Sequence, residues 1–218
     1  MYLNTNSVAE DAHTLSFPEA RPAVPLSKRV LDTVCILAIL PLVLLILAIA
    51  AIAVKLSSPG PVLFVQNRYG VGRARFRVLK LRTMTVTEDG AAFRQAQKGD
   101  ARITRVGAFL RKTSIDELPQ VFNVLRGDMS LVGPRPHPTK LDDDFALKIP
   151  AYNRRFAVMP GITGLAQVRG QRGETDTLEK MQARIDSDIE YVETRSLWTD
   201  IIIMLRTVLV VFSQRNAG

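Results

Sequence analysis

Two adjacent carboxylates, Asp116 and Glu117, are the strongest candidates for chemistry in the sequence, within the segment KTSIDELP. Pro119 follows them, and proline is tolerated in the first turn of a helix, so we expect the pair at a helix N-terminus. One interpretation is purely structural, because Ser114 and Glu117 have the S-x-x-E spacing of a capping box. Spacing alone favours this interpretation.

Basic residues around the pair favour a second interpretation, a phosphate site. Arg111 and Lys112 precede the carboxylates, and Arg135 follows them between two prolines. Arginines near a helix N-terminus are typical of phosphate binding. Carboxylates bind anions poorly, but Asp116 and Glu117 could hold Mg²⁺, which bridges carboxylate and phosphate. One ionised carboxylate could also attack phosphorus as a nucleophile.

Composition excludes several other classes of protein. The chain has 218 residues, of which 47% are hydrophobic, and it carries a formal net charge of +8. One cysteine and two histidines exclude a disulfide framework and argue against a structural zinc site. Residues 60–140 hold 15 basic and six acidic groups, which taken alone would suit a nucleic-acid binder. The segment before them argues for a membrane instead, and we expect no nucleic-acid partner.

An apolar run of 22 uncharged residues, 33–54, predicts a membrane helix. At about 1.5 Å per residue it is about 33 Å long, the thickness of a bilayer core. The run is too long for the apolar part of a signal peptide. Basic residues flank both ends, with Lys28 and Arg29 before the run and Lys55 after it. Such flanks disfavour a simple crossing, because lysine and arginine prefer the cytoplasmic side.

Pro41 lies inside this run and interrupts helical hydrogen bonding. Two half-helices bent at Pro41 could enter and leave through the same leaflet, or a single kinked helix could span the bilayer. The residues alone do not decide between these topologies. Asp32 lies four residues after Lys28, so we expect it to pair with Lys28 or Arg29 at the membrane interface.

A second candidate for membrane contact is the segment LWTDIIIMLRTVLVVFSQ at residues 197–214. Its polar residues recur every seven positions and therefore form one narrow stripe on a helix. This pattern predicts a helix half-sunk in the lipid boundary, with Trp198 at headgroup level. A core helix of the globular part is the alternative.

The remaining sequence predicts a small α+β body. Residues 61–84 predict a β-hairpin with turn glycines. Residues 104–127 predict two helical pieces, broken near 113–116 and ended by Gly127, and residues 174–196 predict a further helix. Proline- and glycine-rich segments at 132–140 and 158–173 predict loops. We expect residues 1–27 to form a poorly ordered tail and residues 86–101 to form a loop or short helix. We expect residues 142–144 to lie in a solvated acidic loop. We interpret His137 as structural and Cys35 as inert packing.

Five ordered motifs resemble the bacterial sugar transferases, the monotopic polyprenyl-phosphate phosphoglycosyltransferases. The resemblance runs from about Lys28 to about Phe212, nearly the whole chain. The motifs are KRxxD (28–32), KLRTM (80–84), TSIDELPQ (113–120), RGDMSLVGPRP (126–136) and PGITGLAQV (160–168).

The resemblance implies a specific reaction. The family transfers a sugar-1-phosphate from a nucleotide diphosphate sugar to undecaprenyl phosphate, at the cytoplasmic face of the inner membrane. By similarity, Asp116 is the nucleophile that forms a phosphosugar–enzyme intermediate and expels UMP, Glu117 holds Mg²⁺, and Arg135 binds phosphate. The family's apolar segment is a re-entrant helix broken at a proline. Here Leu40 precedes Pro41 where the family often has serine, so we expect a shallower bend.

The predicted fold is therefore α+β and mostly helical, in a monotopic membrane protein with an N-terminal re-entrant helix hairpin, a small β-hairpin and interfacial amphipathic helices. Its predicted parts are a tail (1–27), a re-entrant membrane helix (28–58) and a cytosolic catalytic domain with a C-terminal interfacial helix (59–218). The membrane-anchoring candidates are Lys28, Arg29, Asp32, Pro41 and Trp198.

Further residues are candidates for substrate binding. Lys80, Arg82 and Arg111 could bind the diphosphate, and Thr163 and Gln167 could contact the sugar or uridine. Residues 172–181 resemble exopolysaccharide initiators that use UDP-glucose, although galactose and N-acetylated sugars stay open. Two other functions stay open, a non-catalytic basic lipid-binding scaffold and a conventional glycosyltransferase that releases a nucleoside diphosphate. The sequence leaves a homo-oligomer open.

Overall fold

The structure is a computed structural model that describes residues 24–85, 100–173 and 177–212. Most of the predicted tail (1–27) and of the predicted loop or short helix at 86–101 therefore lies outside the described residues. The described part is mostly helical, as the sequence predicts, and has two small sheets, of which only the β-hairpin was predicted.

The N-terminal helix α1 spans Leu26–Ser57 and runs without interruption through Pro41. The predicted break into two half-helices is therefore not confirmed. Packing explains the continuity, because Ile36 and Val43, on either side of Pro41, lie in the same apolar cluster with Val78 and Val121. This shared cluster holds both parts of the helix against the protein body.

One face of α1 is buried along its whole length and the other is exposed. The buried residues are spaced four or seven apart, as expected for a single helical face: Asp32, Ile36, Val43, Ala50 and Val54. Large apolar side chains cover the opposite face, including Val34 and Leu45 (each 59% exposed) and Ile49 (63% exposed). Among the described helices, only α1 is long and apolar enough to cross a membrane.

A β-hairpin follows α1, as predicted. Strands β1 (Leu63–Tyr69) and β2 (Arg75–Leu81) are antiparallel. A 3₁₀ turn at Val71–Arg73 joins them, and Gly72 takes a left-handed conformation (φ 58°) there that favours glycine. The glycines are thus turn residues.

The next segment also follows the prediction of two helical pieces. Helix α2 spans Arg105–Thr113, a 3₁₀ turn spans Ile115–Glu117, and α3 spans Gln120–Arg126. Ser114 breaks the helix with a left-handed backbone (φ 58°), and α3 ends at Gly127 (φ 89°).

The second half of the chain contains elements that the sequence did not predict. Gly161–Thr163 forms strand β4, parallel to β3 (Ser130–Val132), within a segment predicted to be a loop. Gly161 permits this pairing, because a Cβ there would lie 2.1 Å from the backbone nitrogen of Gly133. The helices of this half are α4 (Thr139–Ala146), α5 (Leu165–Val168), α6 (Leu178–Thr194) and α7 (Leu197–Phe212), with a 3₁₀ helix at Tyr152–Ala157.

Helix α7 confirms the predicted C-terminal helix and shows which way its polar stripe faces. Asp200 is 2% exposed and Thr207 bonds to Thr163, so these two stripe residues pack against the protein, whereas Arg206 is exposed. Apolar residues face outward, with Trp198 69%, Leu205 63% and Leu209 70% exposed. The helix thus presents an apolar face away from the protein, as α1 does.

Candidate active site

The carboxylate pair lies in the 3₁₀ turn between α2 and α3, and the capping box is absent. The Ser114 side chain makes no capping hydrogen bond, and Pro119 occupies the position before α3. The structural interpretation of Ser114 and Glu117 is therefore wrong. The left-handed backbone at Ser114 ends one helix, and the Glu117 side chain bonds to residues distant in sequence.

Glu117 is held between two cations. Lys80 Nζ on β2 donates to Glu117 Oε1 at 2.7 Å, and Arg135 Nη1 donates to Glu117 Oε2 at 2.8 Å. Arg135 Nη2 also donates to Oε1. Burial acts to raise the pKa of Glu117, but the charges of Arg135 and Lys80 outweigh it and lower that pKa well below its usual range. The carboxylate is therefore ionised.

Asp116, next to this ion-paired group, has a different environment. It is 9% exposed, and its carboxylate accepts no hydrogen bond from the residues that the structure describes. Burial and the charge of Glu117 raise the pKa of Asp116 to about 6, against the opposing charges of Lys80, Arg135 and Arg111. An unpaired carboxylate that ionises near neutral pH is suited to nucleophilic attack.

The structure brings together most of the predicted phosphate ligands, but not Arg82. Arg111 is exposed at the end of α2 and close enough to lower the pKa of Asp116. The guanidinium of Arg82 is buried and donates to the carbonyl oxygens of Ser58 and Pro59. Arg82 thus fastens the end of α1 to the hairpin, and its position gives no support for a role in diphosphate binding.

Thr163 and Gln167 also bond away from the carboxylate pair. Thr163 Oγ1 lies 2.7 Å from Thr207 Oγ1 on α7, and Gln167 Nε2 donates to the Ile162 carbonyl at 3.5 Å. Their predicted contact with the sugar or uridine stays a prediction.

Sequence reasoning missed Asn123, which positions Lys80. Its fully buried amide bonds to the β2 backbone on either side of Val78, with Nδ2 donating to the Arg77 carbonyl and Oδ1 accepting from Leu79 N–H. These bonds fix α3 beside the strand that carries Lys80. The sequence contained one sign of this role, because Asn123 is a polar residue among the apolar residues of the segment QVFNVL.

A buried ion network lies behind Arg135 and corrects the prediction of a solvated acidic loop at 142–144, because these residues are helical and Asp142 is buried, while Asp143 and Asp144 are exposed. Asp142 is fully buried in α4 rather than in a solvated loop, because Arg155 Nη1 donates to it at 3.0 Å. Arg155 also pairs with Asp188 at 2.9 Å and donates to the backbone carbonyl of Arg135. The network therefore holds the loop that presents Arg135.

Replacing Arg155 by methionine is expected to lower the free energy of unfolding by about 3–5 kcal/mol, because Asp142 and Asp188 would stay buried without their cation. Arg154→Met is the matched control, since Arg154 pairs with Glu193 at the exposed surface and should cost less than about 1 kcal/mol. Denaturant unfolding in detergent measures the free energy of unfolding of Arg155→Met and of Arg154→Met. Equal losses would contradict a stabilising role for the buried network.

His137 predicts a pH dependence of stability. Burial and the charges of Arg155 and Arg184 hold its pKa well below the usual value, so the folded protein keeps it neutral. Below about pH 6.5 the His137 side chain binds a proton in the unfolded chain but not in the folded one. The stability of wild type relative to His137→Gln should therefore fall with acidification by up to about 1.4 kcal/mol per pH unit. A pH-independent difference in unfolding free energy would contradict this.

Three of the predicted anchoring residues, Lys28, Arg29 and Asp32, bond to other parts of the protein. Asp32 accepts from Ser130 Oγ at 2.7 Å, while Lys28 pairs with Asp200 at 2.6 Å. The expected pairing of Asp32 with Lys28 or Arg29 is thus wrong, since all three side chains lie on the protein-facing side of α1. Arg29 donates to the Val124 carbonyl near the end of α3.

Comparison with known proteins identifies the family. A model described as bacterial sugar transferase matches residues 24–214. The chain belongs to the bacterial sugar transferase family. The matched range contains the carboxylate pair and all five motifs of the sequence resemblance.

Three relatives with curated names show the range within the family. A Caulobacter vibrioides protein named UDP-glucose:undecaprenyl-phosphate glucose-1-phosphate transferase is 56% identical over 92% of this chain and 75% of its own length. An Escherichia coli protein of the same name is 50% identical over 88% of this chain and 41% of its own length. An Aeromonas hydrophila protein, named UDP-N-acetylgalactosamine-undecaprenyl-phosphate N-acetylgalactosaminephosphotransferase, is 41% identical over 88% of this chain and 45% of its own. The chain thus spans less than half of the last two.

Proposed function

We propose that this protein transfers glucose-1-phosphate from UDP-glucose to undecaprenyl phosphate and releases UMP, as the first membrane step of exopolysaccharide or other surface glycan synthesis. The observation that carries the proposal is the unpaired, buried carboxylate of Asp116 beside Glu117, Lys80 and Arg135. The names of the Caulobacter and Escherichia relatives support glucose as the sugar.

The proposed reaction has two phosphoryl transfers at Asp116. A carboxylate oxygen attacks the phosphorus that bears the sugar, and the bond from that phosphorus to the bridging oxygen breaks, so UMP leaves with the electron pair. An oxygen of the lipid phosphate then attacks the same phosphorus and displaces Asp116. Catalysis of such transfers consists mainly of positioning and charge neutralisation, which Lys80 and Arg135 provide.

Asp116 and Glu117 would hold a magnesium ion, with the free Asp116 carboxylate as a ligand and Glu117 joining it in place of a contact to Lys80 or Arg135. Mg²⁺ uses oxygen ligands and often takes only one or two carboxylates, completing its shell with waters and substrate phosphates. No group of three or more His, Cys, Asp or Glu side chains suited to a metal occurs among the described residues, so substrate oxygens would be needed. The ion would supply further charge neutralisation at the diphosphate.

We propose that α1 is re-entrant and that residues 59–218 face the cytoplasm from the inner membrane. Both ends of α1 bond to the same protein body, through Lys28 to Asp200 and through Ser58 and Pro59 to Arg82. These two contacts lie at opposite ends of a 32-residue helix, about 48 Å apart at 1.5 Å per residue, so the protein body follows α1 along its length. The contacts at both ends support a helix that dips into one leaflet.

Cysteine labelling is expected to find both ends of α1 on the cytoplasmic side. In a Cys35→Ala background, which removes the chain's single cysteine, Leu26→Cys and Leu56→Cys should both react with a membrane-impermeant maleimide in inverted membrane vesicles. Both positions are highly exposed, at 78% and 82%. Leu45→Cys is the control and should be protected by lipid. Labelling of only one end would show a spanning helix.

The reaction is tested by the nucleotide that is released. Purified protein is incubated with Mg²⁺, undecaprenyl phosphate and either UDP-glucose, UDP-galactose or an N-acetylated UDP-sugar. Release of UMP with UDP-glucose supports the proposal, and UMP with another sugar corrects the substrate. Release of UDP would show a conventional glycosyltransferase, and release of neither nucleotide would favour a lipid-binding scaffold.

A further inference from the structure

A shallow cavity lies next to the carboxylate pair, and it contains residues to which neither the sequence nor the relatives assign a role. Arg68, Val78, Lys80, Gln120, Arg135 and Pro136 line it. Lys80 and Arg135 are the cations that bind Glu117, so the cavity opens from the proposed reaction centre. Arg68 and Gln120 are the unassigned polar residues of its wall.

Gln120, the first residue of α3, lines this cavity with a side-chain amide that makes no hydrogen bond to any residue in the described ranges 24–85, 100–173 and 177–212. The residue is only 2% exposed, but its amide is not fully enclosed. Buried amides are normally hydrogen-bonded, and the NH₂ group can donate two bonds. An unused donor that lines a cavity points to a ligand acceptor.

Arg68 on β1 is the second underused donor. It is 8% exposed, its Nη2 donates to the neutral Gln66 Oε1 at 2.6 Å, and its Nε has no partner. It forms no ion pair with a described carboxylate, because the nearby Glu117 binds Lys80 and Arg135 while Asp142 binds Arg155. A buried arginine without a carboxylate needs an anion from elsewhere.

We propose that Arg68 and Gln120, together with Lys80 and Arg135, form a second phosphate subsite, which holds the phosphate that leaves with uridine. This inference rests on the proposed function. A UDP-sugar carries two linked phosphates, and only the sugar-bearing one is attacked by Asp116. The other gains negative charge as the bridging bond breaks, and donors placed at that point stabilise the transition state. The phosphate of the lipid acceptor presents the same chemistry to this subsite.

Ligand binding tests the subsite without relying on turnover. The full chain in detergent is titrated with UMP, with uridine and with a short-chain polyprenyl phosphate, and affinity is measured by calorimetry or thermal shift. Wild type should bind UMP at least tenfold more tightly than uridine. Arg68→Gln and Gln120→Leu should each lower UMP affinity about tenfold and leave uridine affinity unchanged, because a charge-assisted or buried hydrogen bond is lost.

Arg77→Gln is the matched control, because it removes an exposed arginine from the same hairpin and should leave UMP affinity unchanged. If Arg68→Gln fails to fold, the UMP affinities of Arg68→Lys and Gln120→Leu test the subsite instead. A loss of polyprenyl phosphate affinity alone supports the subsite and assigns it to the acceptor. Folded variants that bind both phosphates as wild type does overturn the inference, and so does a wild type that binds UMP no better than uridine. UMP release by wild type reports separately on the proposed function.

Discussion

Replacing Asp116 by asparagine is expected to lower sugar-phosphate transfer by at least about 10³-fold, because the neutral amide is a poor nucleophile and cannot form the phosphosugar intermediate. Asparagine has nearly the same size as aspartate. Because it carries no charge, the substitution also removes the cost of burying an ionised carboxylate, the cost that raises the pKa of Asp116. The variant should therefore fold at least as well as wild type. Initial rates of UMP release, with thermal unfolding of the same sample, measure both quantities.

Asp186→Asn is the matched control for that substitution. Asp186 is exposed on α6, where it accepts from Gln182, and its replacement should leave the rate unchanged. A second readout is covalent labelling, because wild type incubated with labelled UDP-sugar but no acceptor should retain label that Asp116→Asn does not. A folded Asp116→Asn variant with a tenth or more of the wild-type rate would remove Asp116 from the mechanism.

Replacing Glu117 by glutamine is expected to lower the rate by about 10²–10³-fold, the loss typical of removing one preorganised charged group from an active site. The neutral amide no longer balances Lys80 and Arg135, which then face each other in a buried site. Burial already lowers the pKa of Lys80, and Glu117 is the largest opposing influence, so the lysine should lose its charge more readily. Rates across pH and Mg²⁺ concentration measure the effect.

Glu193→Gln separates this effect from loss of a surface ion pair. Glu193 pairs with Arg154 where both side chains are more than half exposed, so its replacement should change neither rate nor stability appreciably. A Glu117→Gln enzyme with near wild-type rates at all Mg²⁺ concentrations would show that the carboxylate has no part in catalysis.

The local elements could be predicted from the sequence because their signals are local. Turn glycines marked the hairpin and Gly127 marked the end of α3, and both conformations depend on neighbouring residues alone. The carboxylate pair and Arg135 could be singled out as candidates because charged residues cluster near them in sequence.

The pairing of charged residues could not be predicted, because it depends on contacts between distant segments. Asp32 bonds to Ser130, Asp142 to Arg155, and Arg82 to the carbonyl groups that follow α1. The sequence instead predicted a neighbour in the chain as the partner of Asp32, solvent for Asp142 and the substrate diphosphate for Arg82. The capping-box pattern at Ser114 failed for the same reason, since Lys80 and Arg135 attract Glu117 away from the local backbone.

The ion pair of Lys28 with Asp200 has a consequence for how the protein is made. Its partners lie 172 residues apart, and Asp200 also accepts from Tyr191. During synthesis, the first apolar helix leaves the ribosome long before its acidic partner exists. Lys28 therefore lacks this partner during synthesis, and α1 can dock fully only when α7 has been translated. Chains that end before Asp200 should consequently be incompletely folded, and so become substrates for proteases.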